Sequence, residues 1–62
     1  MSVWHGPRGI EVEVIVLDQR PRFRVMQTVH GRRYLLAYCS RVQEVAQHVS
    51  LADLVEVIDF PA

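Results

Sequence analysis

The chain has 62 residues, half of them apolar, and its seven basic residues, all arginine, balance seven acidic ones at a formal net charge of zero. That length allows one domain, near the lower limit for an unaided hydrophobic core, and the apolar fraction excludes disorder. The most apolar window, Ile10 to Leu17, is interrupted by Glu11 and Glu13, too short for a bilayer span and too charged for a signal-peptide core, so a soluble, cytoplasmic protein is expected.

Residues 1–9 hold two glycines and a proline without periodicity and read as a flexible arm, with Trp4 placed to pin onto the domain. Residues 10–62 read as one small α+β domain. Val12, Val14 and Val16 alternate with Glu11, Glu13, Ile15 and Leu17, the period of a strand, which Asp18-Gln19-Arg20-Pro21 ends with turn residues. A second strand is expected over Arg22 to Val29 and a third over Arg32 to Cys39. His30-Gly31 makes a two-residue hairpin loop, because glycine tolerates the positive φ such turns require. Closing that loop pairs Val29 with Arg32, Gln27 with Tyr34, Val25 with Leu36 and Phe23 with Tyr38. One ribbon face then gathers Phe23, Val25, Val29, Tyr34, Leu36 and Tyr38, which Val12, Val14 and Val16 can join as a core.

A helix follows, with Ser40 as N-cap and Gln43 completing a capping box, and with Val42, Val45, Ala46 and Val49 as the apolar stripe that lies on the core face. Leu51 to Phe60 fits either a helix or a short strand. One helical turn leading into an extended tail, stopped by Pro61, is the favoured reading. The expected fold is therefore a three-stranded antiparallel sheet with one helix packed on one face (β-β-β-α).

The charge is segregated. Six arginines lie between Arg20 and Arg41 with no Asp or Glu among them, whereas the chain beyond Arg41 holds acids and no arginine. A local patch, not the whole-molecule sum, decides whether a polyanion is attracted. Alternation puts Arg20, Arg22, Arg24, Met26 and Thr28 on the sheet face away from the helix, joined across the hairpin by Arg33, Leu35, Ala37 and Cys39, with Arg32 at the loop. Guanidinium forks in a row can bind successive phosphates, and a two-stranded ribbon fits the major groove. Two other readings of this face compete. Glu11 and Glu13 can pair with the arginines across strands and neutralise them. Ile15, Leu17, Met26, Leu35 and Ala37 can instead form an apolar oligomer contact rimmed by arginine.

Residues suited to catalysis are sparse. Cys39 reads as a small apolar residue ending a strand. His5, His30 and His48 have no metal-ligand spacing and no cofactor is implied. His48 suits a helix C-terminus. Asp53, Glu56 and Asp59 read as a solvated edge, since so small a domain has little room for a pocket or a small-molecule substrate. No glycine-rich phosphate loop is present, and a non-enzymatic protein is expected.

The stretch Arg22–Gln47, two arginine-bearing strands around His30-Gly31 followed by the Ser40-Arg-Val-Gln helix start, resembles small β-β-β-α DNA-binding domains. These include AP2-like domains and the arm-binding domains of tyrosine recombinases. The resemblance implies that the sheet enters the major groove, with contacts from Arg22, Arg24 and Arg33 and from Arg32 at the turn. From Trp4-His-Gly-Pro to the Leu-Ala-Asp-Leu-Val-Glu-Val close, the chain is also similar to short transposon-encoded accessory proteins of actinobacteria, which implies a role in DNA transactions. The expected function is thus duplex-DNA binding by an accessory protein through Arg20, Arg22, Arg24, Arg32 and Arg33. The alternative is an antitoxin-like or assembly module that uses the same face, or a strand edge, to bind itself or another protein.

Overall fold

The computed structural model describes residues 2–58. It is an α+β domain in which five antiparallel strands form one sheet: β1 (Ser2–His5), β2 (Ile10–Leu17), β3 (Arg20–Val29), β4 (Arg32–Cys39) and β5 (Val55–Ile58), in the spatial order β4-β3-β2-β1-β5. One short helix, α1 (Val42–Val45), and a 3-10 turn over Leu51–Asp53 lie between β4 and β5. Among the described residues no helix is long and apolar enough to cross a membrane.

The central meander follows from the alternation of β2 and from two tight turns. Leu17 pairs with Arg20 around Asp18-Gln19, and Val29 with Arg32 around His30-Gly31. All four loop residues have positive φ, from 51° at His30 to 79° at Gly31, the left-handed conformation whose twist matches a two-residue hairpin. Gly31 supplies it without strain. Asp18, Gln19 and His30 adopt it against the steric preference of an L residue.

Three expected strands become five because chain from both ends of the sequence, expected elsewhere, adds to the β2 edge of the meander. Ser2–His5 is not a flexible arm. It is the fourth strand across, pairing Trp4 with Val12 on one side and with Glu56 on the other. The physical reason is burial, since Trp4 lies against the core and an extended segment there satisfies its backbone groups on both sides. Pro7–Gly9 then turns the chain into β2, with Gly9 at φ 77° in the left-handed region. A Cβ at Gly9 would run into the backbone carbonyl of Thr28. The ambiguous segment after Ser50 does begin with one helical turn, but Val55–Ile58 is a sheet strand rather than a loose tail. Asp59, Phe60 and Pro61 lie outside the described residues.

The helix is shorter than its apolar stripe suggests. After Ala46 donates to Val42 O, Gln47 and His48 donate only three residues back, to Glu44 O and Val45 O, so the winding tightens and stops. β-Branched residues at positions 42, 45 and 49 favour such an early end. Ser40 is not the N-cap. Arg41 holds that position without a side-chain cap bond, and the Glu44 carboxylate accepts the Ser40 N–H at 3.2 Å, where Gln43 was the expected partner. Val45 and Val49 seal the core with Ile10, Val12, Val25 and Cys39, whereas Val42 and Ala46 stay exposed. One turn covers the sheet incompletely and leaves a cleft of about 250 Å³ beside it.

One register change reorders β4. The pairing of Gln27 with Tyr34 is as expected, but a β-bulge at Leu36 pairs Met26 with Leu35 and Val25 with Ala37. Beyond it Phe23 faces Cys39 and Arg24 faces Tyr38. A one-residue slip sends every later side chain to the opposite face. Ala37 and Cys39 therefore turn in to the core, and Tyr38 turns out.

Candidate functional site

The face of the sheet away from α1 is the site to which the charge pattern points, and strand register assembles it. Two rows cross all five strands. One runs Tyr38, Arg24, Glu13, Val3 and Val57, and the next runs Leu35, Met26, Glu11, His5 and Val55. Beyond the first row lie Arg22 with Ile15 and Arg20 with Leu17, and beyond the second lie Thr28 and Arg33. Among the described residues neither α1 nor the 3-10 turns lie over this face.

Four of the five arginines expected to act together are on it. Arg32 is not: it opens β4 opposite Val29, and alternation sends it to the helix side. Of the four, two are occupied. Arg24 Nη2 donates to Glu13 Oε1 at 2.5 Å, with the two side chains 33% and 18% exposed. Arg33 Nη2 donates to Glu11 Oε2 at 3.3 Å. Glu13 stands directly opposite Arg24 in the register, so this pair is fixed by the backbone. Arg22 turns a guanidinium nitrogen to the Pro21 carbonyl at 3.1 Å, and Arg20 is exposed. Among the described residues neither has a carboxylate within ion-pair reach. Four arginines against two glutamates leave the face at +2, with the excess at the end near the β2–β3 turn.

The remainder of the face is apolar. Ile15 and Met26 are half-buried, Leu17 and Leu35 are exposed, and Ala37 has moved to the core side. Tyr38, Val3, Val55 and Val57 take part instead, with Val55 65% exposed. Sequence pattern missed Tyr38 because the run Tyr34–Cys39 is almost wholly apolar, so its alternation carries no sign of which residue is the extra one. It missed Val3, Val55 and Val57 because neither end of the chain was assigned to the sheet.

The titratable groups elsewhere do not converge. Cys39 is buried, and its thiol is pushed above its ordinary value by that burial and then by the negative charge of Glu44. His5 lies on the open face, His30 at the hairpin tip and His48 just after α1. Among the described residues no three His, Cys, Asp or Glu side chains gather as a metal cage. What the face can do is present an apolar belt with a neutralised centre and a cationic end. No protein-family model, curated protein or solved structure matches the chain.

Proposed function

We propose that this chain is a non-enzymatic protein-interaction module that docks another protein on the open sheet face. The observation that carries the reading is the coupling of Glu11 and Glu13 to Arg33 and Arg24, which withdraws half of the arginines from any phosphate and leaves apolar side chains between them. A large uncovered apolar face on a small domain is ordinarily an interaction surface. Three strands of eight to ten residues flanked by two of four, at about 4.8 Å spacing and about 3.4 Å per residue, give a face of about 550 Å². That approaches the roughly 800 Å² per partner of a standard interface.

The partner's chemistry follows from the charge left over. Arg20 and Arg22 form a cationic rim beside Leu17 and Ile15, so the complementary surface is apolar at its centre and carries carboxylates at one edge. A second copy of this chain would offer Arg20 and Arg22 no free carboxylate, since Glu11 and Glu13 of its face are already paired, which favours a different, acidic protein over self-association. Duplex DNA, the ligand expected from the charge segregation, is less well served. Its phosphates gain nothing from the apolar rows, and Arg32 lies on the other side of the sheet.

Two measurements test this. A photocrosslinker at Met26 is expected to yield a discrete heterologous adduct that Leu35→Arg abolishes, while the same group at Val16 on the helix side yields none. Duplex binding by fluorescence anisotropy is expected to be weak and almost flat with salt. It should gain a steep salt dependence in Glu11→Gln with Glu13→Gln, where two more arginines become available. Wild-type binding with a log–log salt slope of about −4 would restore the DNA reading, and an adduct between two copies of the chain would replace the acidic partner by a homodimer.

A further inference from the structure

The helix side of the sheet carries a feature independent of the open face. The cleft of about 250 Å³ beside α1 has a graded depth. Val12 and Val45, both buried, form its floor, and Trp4, Phe23 and Leu54, half-buried, form its walls. Val42 and Leu51, 46% and 42% exposed, form its rim. A sealed packing void would have no exposed lining, so this one has a mouth. Among the described residues its lining holds no titratable side chain.

We propose that this cleft binds a neutral, apolar compound of one or two rings. Size sets the upper bound: a cavity of about 150 Å³ lined by Leu, Ile and Phe stays dry and takes benzene. Pockets for drug-sized ligands begin near 300 Å³. Charge sets the class, since an ionised group would lose its hydration in the cleft and meet no counter-ion. Trp4 and Phe23 set the shape, because aromatic walls accept another ring in offset or edge-to-face contact. A small-molecule site, for which so short a chain was expected to have little room, thus arises because α1 stops after one turn and, among the described residues, leaves the sheet between it and Leu51 uncovered.

Toluene is the probe, with benzoate as its charged counterpart, and methyl and indole NMR shifts are the readout. Saturable shifts are expected at Val12, Val45, Leu54 and Trp4, with none at Leu35 or Val57 across the sheet and at least tenfold weaker binding of benzoate. Leu54→Phe, which fills the wall, is expected to weaken toluene at least tenfold. Leu51→Ser sits on the exposed rim, where the fold does not depend on it, and should weaken toluene about threefold. The proposal is overturned by the absence of saturable shifts with toluene, by equal affinity for benzoate, or by affinity unchanged in both folded variants.

Discussion

Under α1, Val12, Val25 and Cys39 are sealed from water, whereas across the same three strands Leu35 and Tyr38 stay about half exposed, at 48% each. The two faces are made from alternate residues of the same strands, with apolar side chains on both. What separates them is the layer above: Val45 and Val49 close one side, and nothing described closes the other. The open face instead carries two ion pairs, Arg24 with Glu13 and Arg33 with Glu11, among its apolar residues. The difference teaches that alternation assigns a side chain to a face but not to a state. Whether an arginine stripe is available to a ligand depends on the neighbouring strand, and here β2 brings a glutamate against it.

The largest test of that asymmetry compares equal truncations on the two sides. Val25 is fully buried, so Val25→Ala loses two methyl groups and leaves a cavity, at a cost of about 2–3 kcal/mol. For a domain of this size, with a total stability of about 3–9 kcal/mol, that is a large share. Leu35→Ala should cost less than about 0.5 kcal/mol, the range of exposed positions. Urea denaturation of both variants is the measurement. A Leu35→Ala cost as large as that of Val25→Ala would mean that the open face is already covered in solution.

Much of this asymmetry was legible in the chain, and the parts that were not have physical causes. The strand β2, both strands of the hairpin and the turn at His30-Gly31 follow from period two and from glycine. The sharing of a face by Arg20, Arg22, Arg24 and Arg33 follows as well. The bulge does not, because Leu35, Leu36 and Ala37 are interchangeable to a hydrophobic pattern, yet choosing Leu36 as the extra residue exchanges Ala37 for Tyr38 on the open face. The places of β1 and β5 were hidden for another reason. Four-residue strands carry too little alternation to be recognised; β1 is held between β2 and β5, and β5 pairs with β1 alone among the described strands. The pairing of carboxylates with these arginines was visible as an alternative, and the register sets Glu13 directly against Arg24.

The covered face also predicts a pH dependence. Burial, reinforced by Glu44, raises the folded-state pKa of Cys39 above the thiol's ordinary value. Below the unfolded value both states keep the proton, and stability does not depend on this group. Above it, from about pH 8.5, the unfolded chain releases its proton first, so stability falls as pH rises until the folded thiol also ionises. Urea midpoints from pH 7 to 10 should therefore decline more steeply for the wild type than for Cys39→Ala. Parallel profiles would mean that the thiol is in contact with water.

The smallest effects lie on the open face and rank its two ion pairs. Arg24 and Glu13 are the less exposed pair, and a double-mutant cycle to alanine should give a coupling of about 1 kcal/mol. Arg33 and Glu11, with the arginine 52% exposed and the bond longer, should give only about 0.3 kcal/mol. Both should shrink when salt is raised to about 1 M, and the outer pair should vanish first. Arg24 has a further handicap, because its Nε is buried and meets no acceptor among the described residues. Removing Glu13 alone is thus expected to destabilise, since it strands a partly buried guanidinium. Glu13→Val with Arg24→Met removes both charges and the orphan donor and should be close to neutral. If that double variant is as unstable as the single one, the pair holds β2 to β3 in its own right. If it is neutral, the pair's effect on the face is to mask Arg24 rather than to hold the sheet together.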